Sequence, residues 1–284
     1  MNRLPQANRI ASIRQRLLDR AKARGEEFQF VLDRFAVERL LYRLSQSAYR
    51  DEFVLKGAML FALWFDQPHR PTRDADFLGF GPPDADRLAD TVRRLCAIEA
   101  DDGLRYNTDS ITVEAIREEA KYDGLRVTLL ALLGTARCTV QWDVGFGDAV
   151  TPGPMEVTYP TLLDDMPAPQ LRVYPRETVF AEKLEAIAQL GIANSRMKDY
   201  FDLMALVRER AMDPVDLAAA IDATFERRGT SLHEITPFGL SDKFARDPQK
   251  QAQWRAFLRK NRLQAPELET ATEEIRAFVH ALRG

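Results

Sequence analysis

Histidine and cysteine are scarce in this chain, which has three histidines and two cysteines among 284 residues. Cys96 and Cys138 stand far apart, with no CxxC pair and no histidine cluster beside them, and this spacing argues against a zinc site. His69, His233 and His280 are isolated from one another, so each is interpreted as a structural or solvated residue. The sequence therefore offers no support for a Ser-His-Asp or Cys-His mechanism.

A long hydrophobic run is also absent. Residues 58–65 form the longest apolar segment, which is far below the roughly 20 residues that a bilayer requires. The N-terminus carries Arg3 and Arg9 without an apolar signal core behind them. Hydrophobic residues make up 45% and charged residues 29%, which is the balance of a folded globular protein. We therefore expect a cytoplasmic protein that does not associate with membranes.

Acidic and basic residues nearly balance, and the formal net charge of -3 argues against indiscriminate coating of nucleic acid. The basic residues are nevertheless concentrated in two stretches. The first comprises Arg3, Arg9, Arg14, Arg16, Arg20, Lys22 and Arg24, and the second comprises Lys243, Arg246, Lys250, Arg255, Arg259, Lys260 and Arg262. Such stretches either follow a phosphate backbone or form solvated helix faces, and both interpretations stay open.

Hydrophobic periodicity predicts two leading helices, a mixed β region and a helical C-terminal part. The predicted helices cover the first fifty residues with a break near Gly25, then residues 58–65 and 84–98, and finally 177–190, 198–208, 214–227, 249–261 and 268–282. The predicted strands cover residues 53–57, 74–80, 110–116, 124–132, 138–146, 155–159 and 171–174. Pro68 and Pro71 are expected to end the 58–65 helix. The pattern is typical of an α+β fold, and the change of character after Pro175 predicts two lobes, residues 1–174 and residues 175–284.

Asp74 and Asp76 flank Ala75 in a predicted strand and are the main candidates for catalysis. Residues two apart on a strand point to the same side, so both carboxylates are expected to converge while Ala75 and Phe77 face the core. Two anions on one face repel each other unless a cation lies between them, and a pair of Mg2+ (or Mn2+) ions roughly 3.5 to 4 Å apart fits this spacing. This geometry activates a hydroxyl and braces a triphosphate, although the same tripeptide is common in loops and on surfaces.

A third metal ligand is expected on a neighbouring strand. In residues 139–146 the apolar side chains of Val140, Trp142 and Val144 alternate with polar ones, which places Asp143 on the polar face. Asp143 is therefore the candidate third ligand, and it is also the candidate base that helps to deprotonate the acceptor hydroxyl.

Gly57 lies where a predicted apolar strand meets a helix. A missing side chain lets phosphate oxygens approach backbone N–H groups and the positive end of the helix. Lys56 and Arg73 flank this position with cations, so all three residues are candidate nucleotide ligands. The simpler interpretation is that Gly57 only makes a turn.

A second group of charged residues lies in the predicted helical lobe. Asp199 and Asp202 are three residues apart on one helix and share a face. Because the rest of that helix is almost entirely apolar, we expect both carboxylates to be partly buried and to need a cationic partner, either Lys183 or Arg73. The group either contacts phosphate and positions the base, or forms a salt bridge that ties the two lobes together.

Four sequence blocks, taken in order, resemble the AbiEii family. The blocks are residues 53–58 (FVLKGA), 70–77 (RPTRDADF), 182–186 (EKLEA) and 196–203 (RMKDYFDL). The family comprises the nucleotidyltransferase-like toxins of type IV toxin–antitoxin systems, including the mycobacterial MenT group. The resemblance spans about residues 30 to 210, and it implies a DNA polymerase β-like nucleotidyltransferase core with an appended helical lobe.

The resemblance also implies a set of site residues and ligands. Gly57, Asp74 and Asp76 match the motif that holds metal and triphosphate, Lys183 matches the third block, and Lys198 and Asp199 match the fourth. MenT-like relatives add nucleotides to the 3′ acceptor end of tRNA and so block aminoacylation and growth. The implied substrate is therefore an NTP, the implied acceptor tRNA, the implied cofactor Mg2+ or Mn2+, and the implied partner a cognate antitoxin. Ala58 departs from the pattern, because many relatives have Ser or a second Gly there, and a hydroxyl that binds phosphate is missing.

Three functions are consistent with these observations. The leading hypothesis is an NTP:RNA nucleotidyltransferase that acts as a toxin, with Lys183 and Arg73 steadying the triphosphate. A second keeps this chemistry but transfers the nucleotide to a protein side chain or to a small molecule such as an aminoglycoside. A third is a degenerate nucleotide- or partner-binding module, which Ala58 suggests. The basic N-terminal helix favours RNA.

Overall fold

The computed structural model describes residues 6–65, 69–117, 123–230 and 237–282. The chain separates into two compact units. The first comprises Met1–Gly147 and Met155–Val173, and the second comprises Asp148–Pro154 and Tyr174–Gly284. This division falls one residue before the predicted end of the first lobe. It also assigns Asp148–Pro154 to the second unit, because Thr178 bonds to both the N–H and the carbonyl of Thr151, at 3.1 and 2.8 Å.

The first unit combines helices with strands. Its helices are α1 (Gln6–Arg24), α2 (Phe28–Ser45), α3 (Phe61–Trp64) and α4 (Ala85–Cys96), and its strands are β1 (Phe53–Lys56), β2 (Asp74–Gly79), β3 (Leu104–Arg117), β4 (Asp123–Leu133), β5 (Ala136–Phe146), β6 (Met155–Thr158) and β7 (Gln170–Val173). Ile13, Leu17 and Ala21 recur on one face of α1 and are buried, as the periodicity predicts. Gly25 ends α1 with a φ of 64°, a left-handed conformation that glycine adopts without strain.

The predicted helix over residues 58–65 is confirmed only in part. The structure has a 3-10 turn at Gly57–Leu60 followed by the single turn of α3. Leu60 and Phe61 are almost completely buried, so tertiary packing rather than helical periodicity explains the run of apolar residues. Of the two prolines expected to end this helix, Pro68 lies outside the described residues and Pro71 is in neither a helix nor a strand.

The predicted strands are all found, and they form one mixed sheet in the order β3-β4-β5-β2-β1-β7-β6. Strands β2 and β5 run parallel, whereas β1 and β2, β3 and β4, and β4 and β5 run antiparallel. Strand β3 begins at Leu104 rather than at residue 110. Its register shifts between Asn107 and Thr112, and Ser110 bridges the irregularity by donating to the Asn107 carbonyl and accepting the N–H of Leu130.

One face of the sheet is apolar and forms the core of the first unit. Ala75, Phe77 and Trp142 are fully buried. The rings of Phe77 and Trp142 lie 4.7 Å apart, and Phe53 packs edge-on against Phe77 at 5.8 Å. Helix α2 packs against β5. The alternation of side chains along β2 and β5 therefore leaves their polar residues on the opposite face.

Helix α2 also carries a buried ion network that the sequence analysis did not predict. Arg43 holds the Asp102 carboxylate with two hydrogen bonds of 2.5 and 3.2 Å, and Arg39 lies 3.5 Å from the same group. Glu38 accepts the N–H of Leu162 at 2.6 Å. Burial raises the pKa of Glu38 to about 7, against the opposing effects of that hydrogen bond and of Arg39.

The second unit is helical. Its helices are α5 (Arg176–Leu190), α6 (Met197–Glu209), α7 (Pro214–Arg228), α8 (Asp242–Ala245), α9 (Pro248–Asn261) and α10 (Leu268–Ala281). The five helices predicted after Pro175 are confirmed within two residues at their ends, and the short α8 is additional. Asp213 and Asp247 cap α7 and α9 by accepting backbone N–H groups, and a proline at the start of each helix fits this geometry.

In the described parts of the chain, no helix combines the length and the apolar character that crossing a membrane requires. Cys96 and Cys138 are free thiols, and burial raises the pKa of each to about 12. His69 stacks on Phe61, with ring centroids 4.1 Å apart. His280 is exposed on α10, and His233 lies outside the described residues.

Candidate functional site

A row of charged side chains crosses five strands on the polar face of the sheet. In register, Lys56 pairs with Asp76, Asp76 with Asp143, Asp143 with Arg126, and Arg126 with Glu114. Residues directly opposite each other on neighbouring strands project to the same face and are close neighbours. The row therefore reads Glu114, Arg126, Asp143, Asp76 and Lys56 from β3 to β1. Its one pair of adjacent like charges is Asp143 beside Asp76.

Asp74 lies on the same face, in the next row along β2. Asp74 and Asp76 are partly exposed, whereas Ala75 between them and Phe77 after them are fully buried. The register partner of Asp74 is Gln141 on β5. The structure thus brings together Asp74, Asp76 and Asp143, the three carboxylates that the sequence analysis nominated from two separate segments.

Gly57 determines where the Asp76 carboxylate lies. Its φ is 75°, and an added Cβ atom would stand 2.0 Å from Oδ2 of Asp76 and 2.7 Å from its Cγ. The carboxylate therefore rests directly on the glycine backbone, which any side chain at this position would displace. Lys56 precedes the glycine in register with Asp76, and Ala58 follows it, buried in the 3-10 turn. Gly57 does more than make a turn, because it admits the carboxylate.

Asp143 is bound on both oxygens by Arg126, a residue that the sequence analysis missed. Nε of Arg126 donates to Oδ1 at 2.8 Å and Nη2 donates to Oδ2 at 2.6 Å. The amide of Gln141 donates to Oδ1 at 3.2 Å. These hydrogen bonds raise the pKa of Arg126, and the charges of Asp143, Asp74 and Asp76 act in the same direction. The clue in the sequence was the alternation of β4, where Arg126 stands between the buried Leu125 and Val127.

The donor set on this face suits a hard divalent cation. Carboxylate oxygens are the ligands that Mg2+ and Mn2+ prefer, and Asp74 and Asp76 present them from one strand. Across the described residues, however, no three His, Cys, Asp or Glu side chains are grouped so that they could hold a metal ion. Asp143, the predicted third ligand, stands in register with Asp76, and Arg126 donates a hydrogen bond to each of its carboxylate oxygens.

Arg73 is not part of the row. Its Nη2 lies 3.5 Å from Oε2 of Glu27, and its guanidinium lies 5.9 Å from the ring centre of Phe30, so it contacts the start of α2. The side chain is 58% exposed. Asp199 and Asp202 were expected to need a cationic partner, either Lys183 or Arg73.

Lys183 is that partner. Its Nζ lies 2.8 Å from Oδ1 of Asp199 and 2.7 Å from Oδ2 of Asp202, and both carboxylates are fully buried. Arg196 adds a second cation, with its Nε 2.8 Å from Oδ2 of Asp199. Burial by itself would raise the pKa of Asp199, but Lys183 and Arg196 outweigh burial and hold it below the ordinary value. Lys198 is exposed beside this group.

The salt bridge joins α5 to α6 inside the second unit. Both helices belong to the second unit, and the interpretation that the salt bridge ties two lobes together stays a prediction. A second buried cluster lies close by along α5. Arg228 pairs with Glu185 at 2.8 Å, Glu182 at 3.1 Å and Asp148 at 3.2 Å. The sequence analysis did not predict this cluster, since its members come from three separate segments.

The two basic stretches differ in which of their basic side chains are paired, buried or exposed to solvent. On α1, Arg16 pairs with Asp165 and Arg9 with Asp101, and Arg3 lies outside the described residues. In the second stretch Lys250 is buried and donates to the carbonyl of Asn194 at 2.9 Å, so it does not belong to a solvated face. The exposed members at the end of α9 are Arg255, Arg259, Lys260 and Arg262.

Comparison with known proteins adds two findings. The sequence profile described as "Nucleotidyl transferase AbiEii toxin, Type IV TA system" matches residues 39–282. Two solved structures from Helicobacter pylori share the fold. One, assigned as a nucleotidyltransferase, is 17% identical with a TM-score of 0.53, and the match covers 90% of this chain and 95% of that one. The other, JHP933, is 16% identical with a TM-score of 0.52 and covers 90% and 92%. No curated protein matches the chain.

Proposed function

Because the chain belongs to the AbiEii family of nucleotidyltransferase toxins of type IV toxin–antitoxin systems, we propose that it transfers a nucleoside monophosphate from an NTP to RNA. The acceptor in this proposal is the 3′ end of tRNA. The observation that carries it is the placement of Asp74, Asp76 and Asp143 on one face of the sheet, with Asp76 seated on the backbone of Gly57. The growth-inhibiting consequence would be loss of aminoacylation.

Asp74 and Asp76 would hold Mg2+ or Mn2+ in this proposal. Bound there, the cation would neutralise charge on the triphosphate and lower the pKa of the attacking hydroxyl. The chain itself supplies the orientation. Because Gly57 has no side chain, the Asp76 carboxylate is held against the backbone, and the phosphates can approach the same N–H groups. Lys56 adds a positive charge at this end of the row.

Asp143 is the proposed base for the acceptor hydroxyl. As it stands, Arg126 donates a hydrogen bond to each of its oxygens. Deprotonation of a hydroxyl by Asp143 therefore requires that Arg126 release at least one oxygen, since a carboxylate saturated by a cation is a poor proton acceptor.

For the second unit we propose that Lys183 and the exposed Lys198 contribute cations toward the nucleotide's phosphates, with Asp199 and Asp202 holding Lys183 in place. Their buried carboxylates fix the ammonium group at 2.8 and 2.7 Å. Ala58 provides no hydroxyl for phosphate, so backbone N–H groups and these lysines would bear more of the nucleotide binding. Arg73 is 58% exposed and free of the row, which leaves it able to reach a phosphate.

Exposed positive charge at the end of α9 supports an RNA acceptor. Arg255 and Arg259 lie one helical turn apart on α9, Arg262 caps its C-terminal end, and all three are solvent-exposed. Such a stripe follows a phosphate backbone without reading sequence. A type IV system also implies an antitoxin partner. In this proposal the antitoxin counteracts the toxin, and no binding surface for it is assigned on this chain.

A direct test is transfer of label from each α-labelled NTP to total tRNA in the presence of Mg2+. Wild-type protein should label tRNA, and Asp76→Asn should not. Asp164→Asn is a matched control, because Asp164 is an exposed aspartate of the same unit outside the row. Label on protein or on a small molecule would favour the second acceptor class. NTP binding without any transfer would favour the degenerate binding module that Ala58 suggests.

A further inference from the structure

Arg126 stands between two carboxylates in the charged row. Asp143 faces it from β5 and Glu114 faces it from β3, each directly opposite in register. The guanidinium is engaged with Asp143 through two short hydrogen bonds, whereas Glu114 is exposed. Arg126 therefore has a second carboxylate within reach on its other side, because opposed residues of an antiparallel pair have Cβ atoms about 4.5–5.5 Å apart.

We propose that Arg126 competes with the divalent cation for Asp143 and thereby regulates metal binding at the site. With no metal bound, the guanidinium neutralises the like-charged neighbours Asp143 and Asp76. When a divalent cation binds Asp74 and Asp76, it repels the guanidinium and takes its place at Asp143. The released Arg126 pairs with Glu114. This inference rests on the proposed function only in taking Asp74 and Asp76 as metal ligands.

Exposure and charge support this exchange. The Arg126 side chain is 43% exposed and the Asp143 side chain 17% exposed, so the pair sits near solvent, where the guanidinium can turn without opening the core. Ion pairs at such positions are weak compared with buried ones, and an arriving ion of charge +2 can break them. By contrast, the buried Lys183–Asp199 pair has both partners locked between helices. Arg126 is thus a positioning residue, and the strand register provides Glu114 as its second carboxylate partner.

The test is Mn2+ binding in the absence of nucleotide. Binding is measured as the decrease in the electron paramagnetic resonance signal of free Mn2+. Arg126→Gln should bind Mn2+ about tenfold more tightly than wild type, which corresponds to removing one competing charge-assisted hydrogen-bonded pair. Arg126→Lys should lie between the two, because it keeps the charge and loses the two-pronged geometry. Glu114→Gln should bind about two- to fivefold more weakly, since the released guanidinium then has no second carboxylate.

Two controls separate competition at Asp143 from a general effect of charge. Arg137→Gln removes one positive charge from the same face of β5, six residues from Asp143 and roughly 20 Å away. Screening at physiological salt should keep its effect below about twofold. In an Asp143→Asn background, Arg126→Gln should change Mn2+ affinity by less than about twofold, because the contested carboxylate is gone. Circular dichroism and thermal unfolding confirm that each variant is folded.

The proposal is overturned if Arg126→Gln binds Mn2+ no more tightly than wild type, or if neither protein binds it. It is also overturned if the tenfold gain persists in the Asp143→Asn background. These outcomes are independent of the transfer assay. Label transfer with unchanged Mn2+ affinity in Arg126→Gln would remove the competition and leave the enzyme function standing. Tighter Mn2+ binding by Arg126→Gln without transfer to any acceptor would support the competition at Asp143 and contradict the proposed enzyme function.

Discussion

Replacement of Gly57 by alanine should inactivate the protein while leaving most of it folded. Two effects add at this position. First, φ is 75°, and a residue with a side chain pays about 1–2 kcal/mol for a left-handed conformation, partly offset by about 0.4–1 kcal/mol from the reduced freedom of the unfolded chain. Second, the new Cβ atom would stand 2.0 Å from Oδ2 of Asp76, whereas real contacts of this kind stay above 3.0 Å.

The second effect decides the outcome for activity. To restore a contact of 3.0 Å, the Asp76 carboxylate must move by at least about 1 Å, which is the difference between the two distances. A displacement of that size in a catalytic group lowers rates about 100-fold. We therefore expect Gly57→Ala to lose about 100-fold in label transfer and to lose roughly 1 kcal/mol in the free energy of unfolding.

Gly25→Ala is the matched control. Its φ is 64°, in the same conformational region, but no heavy atom lies within 4 Å of the added Cβ. It should lose roughly 1 kcal/mol of stability and keep its transfer activity. Urea denaturation and the transfer assay measure the two quantities. The reasoning is refuted if Gly57→Ala keeps more than a tenth of wild-type activity, or if Gly25→Ala loses as much activity as Gly57→Ala does.

Four further predictions concern stability, pH and RNA. Lys183→Met should lower the free energy of unfolding by about 3–5 kcal/mol, because it leaves buried carboxylates without their main cation, and Lys183→Arg should recover part of this in urea denaturation. The pKa of Asp199 is depressed in the fold, so its stabilising contribution is present above the ordinary aspartate pKa and is lost as pH falls through the folded value. The difference in unfolding free energy between wild type and Lys183→Met should therefore be largest near neutral pH and should shrink as pH falls through that range. Burial raises the pKa of Glu38 to about 7, so its contribution is fully present below about 4.5 and is lost as pH rises through 7. Glu38→Gln should consequently remove up to about 3 kcal/mol of pH-dependent destabilisation between pH 5 and 8, and an unchanged pH profile would contradict this. Replacing Arg255 and Arg259 together by Gln should weaken tRNA binding at low salt and flatten its salt dependence by up to about two units of slope, whereas an unchanged slope would exclude this surface from RNA contact.

Local pattern was enough to predict most of the fold. Period-two alternation located β2, frequent Val, Ile and Thr between Gly or Pro located β4 and β5, and period 3.6 located the helices of the second unit, because all three signals arise from neighbours in the chain. The same alternation predicted that Asp74, Asp76 and Asp143 lie on polar faces. Helical periodicity was less accurate over residues 58–65, where burial of residues 58–61 explains the first half of the apolar run and the structure has a 3-10 turn followed by one α-helical turn.

Glycine shows where sequence reasoning about the site reached its limit. The position of Gly57 between a strand and a helix indicated a close approach, which the sequence analysis assigned to phosphate oxygens. In the structure it is the Asp76 carboxylate, delivered by the antiparallel pairing of β1 with β2. Lys183 was one of two candidate partners for Asp199, and the packing of α5 on α6 selected it.

The sequence by itself determined the type and approximate extent of most elements, the two aspartates of β2 and the family resemblance, since each of these is written in contiguous residues. Only the tertiary structure decided that Arg126 donates hydrogen bonds to both carboxylate oxygens of Asp143 and that Glu114 lies at the β3 end of the charged row. Those contacts depend on the order and register of strands far apart in the chain, and strand register follows from the packing of the whole sheet rather than from any one segment.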